Sequence, residues 1–289
     1  DLGIRTLDFR HEQAAAFAAH AYSRVTGKTG VVTASSGPGT LNLLTGVYAA
    51  SIDCAPMLIL GGASPVHEIG RNTFQEVDQV SIMQPLCKYF HRPTKASRYP
   101  EIVSTAYRQS QSGRPGPVYV DCGGDVLYEE VDAADLAPAS RAQTRIRPAT
   151  DETTIEKIID MIAAADRPMI FAGGGAFFSG AAGPLNRFVD ITNVPFFTSP
   201  MSRGLIAEDH VVCFPAARST AMKEADLVLV VGTRINWMLN FGKRFSPDAH
   251  IIQIDIEESE LGHNLDIELG VVGDAATVVR QLADAAALR

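Results

Sequence analysis

Short, wholly apolar runs alternate with longer helix-forming segments along almost the whole chain. Met57 to Gly62 and Leu227 to Val231 are two such runs, and Pro168 to Ala172 is a third that leads into Gly173-Gly174-Gly175. A run without polar residues is typical of a strand buried on both faces, as in parallel sheets covered by helices. The alternation therefore predicts an α/β fold with two doubly wound, mostly parallel-sheet domains.

The length and the local composition together predict where these domains divide. The chain has 289 residues, which is enough for two ordinary domains. Residues 131–150 are rich in Ala, Asp, Arg and Pro and show no sustained period, which is typical of a linker. We therefore expect a first domain over residues 1–130, a linker over 131–150 and a Rossmann-like second domain over 151–289. Within them, Thr40 to Ala50 is predicted to be a helix and Ile251 to Ile256 a strand.

Charge and composition exclude several classes of protein. The net charge is −8 and the pI is about 5.4, so a nucleic-acid-binding surface is not expected. No apolar run approaches the roughly 20 residues that span a bilayer, so no membrane association is expected. The four cysteines and seven histidines show no metal-ligand spacing, and scattered cysteines favour reduced thiols in a cytoplasmic location.

A possible acid–ligand site begins at Arg10-His11-Glu12-Gln13, which opens an Ala-rich helix. A carboxyl group in an apolar pocket has a raised pKa and can share a proton with a ring nitrogen. A helix N-terminal carboxylate stabilised by the macrodipole is the alternative. Gly37-Pro38-Gly39 follows after one strand; glycine there allows close backbone approach to a ligand, or serves an ordinary turn. Asn42 could reach a ligand or serve the helix end.

Two further segments carry candidate binding groups. The loop from Asn72 to Gln79 is polar but contains Phe74, which indicates either a cleft wall or a solvated loop with one anchoring aromatic residue. Gly173-Gly174-Gly175 lies between a strand and a helix, where backbone N–H groups can hold a phosphate. Trp237 is expected in the core rather than as a platform for an adenine ring.

The segments around Glu12, Gly37 and Phe74 resemble the pyrimidine-binding domain of thiamine-diphosphate-dependent enzymes. This group includes acetolactate synthase, oxalyl-CoA decarboxylase and 2-hydroxyacyl-CoA lyase. The resemblance implies that Glu12 contacts the aminopyrimidine of the cofactor and drives it toward the imino tautomer. It places Phe74 and Gln75 near the thiazolium, with Gln75 as a neutral hydrogen-bond donor. It also implies active sites formed between chains, hence a homodimer or homotetramer with Glu12 buried at the subunit interface.

The second domain resembles the branch of this family that handles CoA, at Ala216 to Ser219 and at Gly232 to Trp237. That branch binds ADP or the ADP part of CoA in its central domain. Arg218 and Arg234 would then meet phosphates by bidentate hydrogen bonds, unless they form surface ion pairs, and Asp255 would receive ribose hydroxyls. From the segments and the resemblance together, the candidate residues for cofactor or nucleotide binding are Glu12, Gly37, Pro38, Gly39, Asn42, Arg114, Gly173, Gly175, Arg218, Arg234, Asp255 and Asp274.

The activity that the resemblance implies is the cleavage of a 2-hydroxyacyl-CoA into formyl-CoA and an aldehyde or ketone, or the reverse reaction. Phe74-Gln75 stands where the oxalyl-CoA decarboxylases carry Tyr-Glu, which counts against oxalyl-CoA as the substrate. An oxalyl-CoA decarboxylase, an acetolactate synthase-like enzyme and a non-catalytic ADP-binding regulatory protein remain alternatives.

The family's diphosphate-and-Mg²⁺ motif, a Gly-Asp-Gly followed by an Asn pair, does not occur in the chain; Gly273-Asp274-Ala275 is a ribose-type turn. The chain also begins at Asp1 without a Met. We therefore expect it to be part of a longer polypeptide whose C-terminal domain binds the diphosphate, with no metal ligands in the chain itself.

Overall fold

The computed structural model describes residues 3–139 and 146–289. The chain separates into two compact units, Asp1–Arg145 and Ile146–Arg289, which we call the first and the second unit. The division falls within the predicted linker of residues 131–150, of which residues 140–145 lie outside the described part. Each unit is built on a parallel sheet with helices between its strands, so the predicted fold class is confirmed.

The first unit contains a four-stranded sheet in the order β1-β2-β4-β3 with all neighbours parallel. Its strands are β1 (Gly30–Ala34), β2 (Met57–Ala63), β3 (Tyr89–His91) and β4 (Pro117–Gly123). Its helices are α1 (Glu12–Thr26), α2 (Pro38–Asn42), α3 (Leu44–Ile52), α4 (Gln79–Met83), α5 (Tyr99–Gln111) and α6 (Gly124–Leu127).

The core of the first unit lies on the two central strands. Ile59 of β2 and Tyr119 of β4 are register partners, and both are fully buried. On one side α1 packs closely against α3, because Gly46 leaves room for Ala16 where a Cβ would overlap it. This contact brings the N-terminal half of α1 directly against α3.

The second unit contains a five-stranded parallel sheet in the order β6-β5-β7-β8-β9. Its strands are β5 (Pro168–Ala172), β6 (Phe196–Thr198), β7 (Leu227–Val231), β8 (His250–Asp255) and β9 (Leu269–Val272). Its helices are α7 (Glu152–Ala164), α8 (Gly174–Ser179), α9 (Ala182–Thr192), α10 (Arg218–Glu224) and α11 (Ala275–Ala286). The strand order reverses between β5 and β7, and ligands of open α/β sheets bind outside the carboxyl ends of the strands at such a point.

Two predicted elements differ in detail from the structure. The predicted helix from Thr40 to Ala50 is interrupted at Leu43, whose amide donates to the carbonyl of Thr40 and so closes a tight last turn of α2. The predicted strand from Ile251 to Ile256 ends at Asp255. In the described part of the chain, no helix combines the length and the apolar character needed to cross a membrane. All four cysteines are free.

Candidate functional site

Helix α1 begins at Glu12, as the sequence predicted. His11 is the N-cap residue, and its Nδ1 atom accepts a hydrogen bond of 3.1 Å from the amide of Gln13. A side-chain acceptor at this position satisfies one of the amides that a helix start leaves unpaired. The side chain of Glu12 is thereby left for contacts outside the helix.

The carboxylate of Glu12 faces the turn that contains Gly37, Pro38 and Gly39. A Cβ atom built on Gly39 would lie 3.4 Å from Glu12 Oε1. Asn42 donates a hydrogen bond of 3.1 Å from Nδ2 to Glu12 Oε2. The structure therefore brings these predicted site residues together, and it shows Asn42 orienting the carboxylate.

The expectation of a raised pKa for Glu12 is wrong for this chain. Hydrogen bonds from the backbone at Glu12 and from the side chain of Asn42 lower its pKa, because both stabilise the charged form. Glu12 is half-buried, and the desolvation that opposes these hydrogen bonds is the smaller effect. The group is therefore a carboxylate at neutral pH in the chain as described. Burial at a subunit interface stays a prediction.

The loop with Phe74 and Gln75 meets the same turn. Gly37 has a φ of 62°, and a Cβ atom there would lie 2.5 Å from the carbonyl oxygen of Gln75. Ser36 Oγ donates to Gln75 Oε1 over 3.3 Å. The two segments that the sequence treats separately thus form one site. Phe74 is 83% exposed, so its place in a cleft wall stays a prediction.

Sequence reasoning did not identify the polar residues beneath this turn. Gln79 is 1% exposed and its Oε1 atom accepts the amide of Gly37 at 2.5 Å, while Nε2 donates to Asp121 Oδ1 at 2.8 Å. Asp121 lies in β4, a strand that is buried along its whole length. A charged residue in such a strand was the one sequence signal that could have pointed to it. Its partner Arg92 follows β3.

Arg114 does not join this group. It lies in the segment that enters β4 at its amino end, whereas the turn at Gly37 follows the carboxyl end of β1. Because the strands are parallel, these are opposite edges of the sheet of the first unit. Cofactor binding by Arg114 stays a prediction.

In the second unit, the glycine-rich turn after β5 packs directly on the turn after β7. A Cβ atom on Gly173 would overlap Thr233 and lie 2.6 Å from the carbonyl oxygen of Gly232, and one on Gly175 would lie 2.8 Å from the Cα of Gly232. The amides of Gly173 and Gly175 donate to the carbonyls of Val231 and Gly232 at 2.9 and 2.8 Å. A phosphate bound here would need other donors, and binding at this turn stays a prediction.

Arg218 borders a cavity of about 300 Å³ that is also lined by Thr198, Arg203, Glu208 and Cys213. Its guanidinium carbon lies 5.2 Å from the centre of the Phe171 ring. Its Nε atom is buried and has no hydrogen-bond partner within the described residues. Desolvation, helped by the nearby charge of Arg244, lowers its pKa, although a guanidinium stays protonated at neutral pH. The side chain therefore carries a charge with an unused donor.

The remaining predicted residues of the second unit follow the carboxyl ends of neighbouring strands. Arg234 follows β7, Asp255 ends β8 and Asp274 follows β9. Asp255 Oδ1 accepts the amide of Glu257 at 3.0 Å, and Asp274 Oδ1 caps α11 by accepting the amide of Thr277 at 3.1 Å. Each carboxylate thus accepts a backbone amide and has a structural role without a ligand. Ribose binding by these residues stays a prediction.

Trp237 is 71% exposed, so the expectation that it belongs to the core is wrong. It begins a short 3-10 helix after β7, and the Asn236 side chain caps that helix by accepting the amide of Met238. Over residues 3–139 and 146–289, no three His, Cys, Asp or Glu side chains are placed to hold a metal ion together.

Comparison with known proteins is consistent with this geometry. A family model described as "Thiamine pyrophosphate enzyme, N-terminal TPP binding domain" matches residues 1–82, and one described as "Thiamine pyrophosphate enzyme, central domain" matches residues 155–282. A 2-hydroxyacyl-CoA lyase of Arabidopsis thaliana is 36% identical over 286 residues, covering 96% of this chain and 50% of the relative.

A probable acetolactate synthase large subunit of Methanococcus aeolicus is 37% identical, with 94% of this chain and 47% of the relative covered. The oxalyl-CoA decarboxylase of Escherichia coli is 34% identical, with 95% and 50% covered. The chain thus spans about half the length of the curated relatives that it matches.

Proposed function

The chain belongs to the family of thiamine pyrophosphate enzymes, of which it carries the N-terminal TPP binding domain and the central domain, and from this premise we propose that it acts in a 2-hydroxyacyl-CoA lyase. The proposed reaction splits a 2-hydroxyacyl-CoA into formyl-CoA and an aldehyde or ketone, or runs in reverse. The observation that carries the proposal is the placement of Glu12 against Gly39 and Asn42, beside the loop with Gln75.

The turn suits the aminopyrimidine of thiamine diphosphate. A Cβ atom on Gly39 would lie 2.5 Å from Ser35 Oγ and 3.4 Å from Glu12 Oε1, so glycine here lets the backbone of the turn lie close to the carboxylate. Thiamine diphosphate, when bound, supplies the carbon nucleophile and the electron sink of the reaction. Glu12 is the group that exchanges a proton with a ring nitrogen, through Oε1, while Asn42 holds Oε2.

The pKa of Glu12 matters for this role. In the chain by itself the hydrogen bonds lower the pKa, so Glu12 accepts a proton poorly. Burial by a partner subunit would remove water and move the pKa of the carboxyl group upward. We therefore propose that a homodimer or homotetramer completes the site, with the carboxylate buried between subunits.

For the second unit we propose that the cavity beside Arg218 receives phosphate groups of CoA or ADP. The unused Nε donor and the charge of Arg218 support an anionic ligand, since guanidinium groups bind phosphates by paired hydrogen bonds. Arg234 and Asp255 lie at the same sheet edge and would contact the rest of the nucleotide.

The choice of substrate rests on short motifs. Gln75 is a neutral amide where the decarboxylases of the family carry an acid, which favours a lyase over an oxalyl-CoA decarboxylase. Identity does not separate lyases from acetolactate synthases, because the relatives of both kinds share 36% and 37% with the chain. We propose further that a diphosphate-binding domain with Mg²⁺ ligands completes the enzyme, and that the enzyme is cytoplasmic.

The test of the proposal is turnover of a 2-hydroxyacyl-CoA by the holoenzyme with thiamine diphosphate and Mg²⁺, followed by release of formyl-CoA. Glu12→Gln should abolish turnover with little change in folding, because an amide cannot exchange the proton. Glu101→Gln is the matched control, since Glu101 is an exposed partner of Arg98 on α5.

Near-normal turnover of Glu12→Gln would refute the assignment of the acid. A bound flavin spectrum would favour the acetolactate synthase alternative instead. Binding of ADP in calorimetry without any turnover would favour the non-catalytic alternative.

A further inference from the structure

The side chain of Gln79 lies between the sheet of the first unit and the turn at Gly37. Gln79 is the first residue of α4, and it is 1% exposed. An amide side chain buried this deeply must find partners for both its donor and its acceptor ends. Both ends of the Gln79 amide have hydrogen-bond partners: the partner of the acceptor is in the turn, and the partners of the donor are in strands β2 and β4.

The donor end faces only oxygen atoms of the protein. Nε2 lies 2.9 Å from the carbonyl oxygen of Gly62, 2.9 Å from Tyr119 Oη and 2.8 Å from Asp121 Oδ1. A carbonyl and a carboxylate can only accept, so the nitrogen must stand on this side. The acceptor Oε1 is thereby directed at the amide of Gly37, 2.5 Å away.

A buried charge holds this arrangement in place. Asp121 is fully buried, and its carboxylate receives hydrogen bonds from Tyr119 Oη and from Arg92 Nε besides that of Gln79. A buried carboxylate is costly unless it is paired, so its donors are kept in fixed geometry. Gln79 cannot rotate its amide without breaking one of these bonds.

We infer that Gln79 is a positioning residue for the proposed reaction: it transmits the fixed geometry of the buried Asp121 to the turn that holds the pyrimidine ring. The inference rests on the proposed function for its catalytic consequence. Gly37 carries the turn, and Gly39 two residues later faces Glu12 Oε1. Loss of the hydrogen bond to the amide of Gly37 would therefore make the distance between Glu12 and the turn that binds the ring more variable.

The geometric part is tested by hydrogen exchange at the amide of Gly37. Gln79→Met keeps the volume and removes both the acceptor and the donor of the amide, and it should accelerate exchange at Gly37 by about fivefold, the factor expected for one lost hydrogen bond of ordinary strength. Ser110→Ala is the matched control, because Ser110 is also fully buried and hydrogen-bonded, to Thr29, at the opposite sheet edge.

If Gln79→Met does not fold, Arg92→Lys replaces it, because lysine keeps a cation beside the buried Asp121. Arg92 is only partly buried and bonds Asp121 rather than Gln79. A smaller acceleration at Gly37 in the same direction is expected, because Asp121 then holds Gln79 less firmly. Unchanged exchange at Gly37 in the variant that folds would overturn the inference, as would equal acceleration in Ser110→Ala.

The catalytic part is tested in the holoenzyme with thiamine diphosphate and a 2-hydroxyacyl-CoA. Gln79→Met should lower kcat by about tenfold or more while the KM for the acyl-CoA stays unchanged, since nothing in the contact touches that substrate. A general structural defect in Gln79→Met would instead accelerate exchange throughout the first unit, and not at Gly37 alone.

The two readouts separate failure of the inference from failure of the proposed function. Faster exchange at Gly37 in Gln79→Met, combined with no turnover in the wild-type enzyme, would refute the proposed reaction. The role of Gln79 in holding the turn at Gly37 would still stand. Faster exchange with unchanged kcat would overturn the positioning role.

Discussion

Replacing Gly173 by Ala should destabilise the second unit strongly, even without a nucleotide. The new Cβ would overlap Thr233 and lie 2.6 Å from the carbonyl oxygen of Gly232. Thr233 is β-branched and stiff at χ1, and the carbonyl belongs to the backbone, so neither neighbour can yield easily. Overpacking of this kind costs about 1–3 kcal/mol, and we expect about 3 kcal/mol here because two rigid neighbours are involved.

The assay is urea unfolding of the whole chain, followed by circular dichroism. The loss should also lower the thermal midpoint of the second unit by about 10 °C, at the usual few degrees per kcal/mol for a domain of this size. The double variant Gly173→Ala with Thr233→Ala should recover only part of the loss, because it removes Thr233 Oγ1 but keeps the Cβ of residue 233 and the carbonyl oxygen of Gly232, each 2.6 Å from the new Cβ.

Gly183→Ala is the matched control for this prediction. Gly183 lies in α9, and a Cβ atom there would have no neighbour within 4 Å. Alanine should leave stability unchanged or raise it by up to about 1 kcal/mol, because it favours the helix. A Gly173→Ala variant within about 0.5 kcal/mol of the wild type would refute the steric reasoning and favour a ligand-binding reason for the glycine.

Three further predictions concern single side chains. Asn42→Ala should raise the pKa of Glu12, because it removes a hydrogen bond to the charged form; an unchanged titration by NMR would contradict this. Asp274→Ala should cost about 0.5–2 kcal/mol in urea unfolding by removing the cap of α11, whereas Asp160→Ala should stay within about 0.5 kcal/mol, as an exposed ion pair allows; equal losses would contradict the capping role. Trp237 should show the red-shifted emission of an exposed indole and strong quenching by acrylamide, and a blue-shifted spectrum would contradict its exposure.

The sequence predicts the central strands well because their cause is local. Met57 to Gly62 and Leu227 to Val231 are apolar on both faces, and this property alone indicates a strand covered on both sides. The strands β3 and β6 have only three residues each, too few to show a period. Both exist because a neighbouring strand offers hydrogen bonds, which is a tertiary cause.

The candidate site divides in the same way. Glu12 and the turn at Gly37 can be found from sequence, because a carboxylate at a helix start and paired glycines are visible in short segments. The hydrogen bond from Gln79 to Asp121 joins residues 42 positions apart. Each of these two residues by itself is ordinary, and only their burial together gives them a role.

The glycines that follow β1 and β5 are both packed closely by other protein atoms, and this packing bears on both proposed sites. A Cβ atom on Gly39 would lie 2.5 Å from Ser35 Oγ and 3.4 Å from Glu12 Oε1, so its one overlap is with the end of a serine side chain, which can rotate away. The space beside Gly173 is already filled by Thr233 and by the backbone of Gly232. Both glycines therefore make room for neighbouring protein atoms, a movable hydroxyl at Gly39 and rigid neighbours at Gly173. For this reason the nucleotide proposal rests on Arg218 and its cavity, and the cofactor proposal rests on Glu12 and its contact with Asn42 rather than on the glycines.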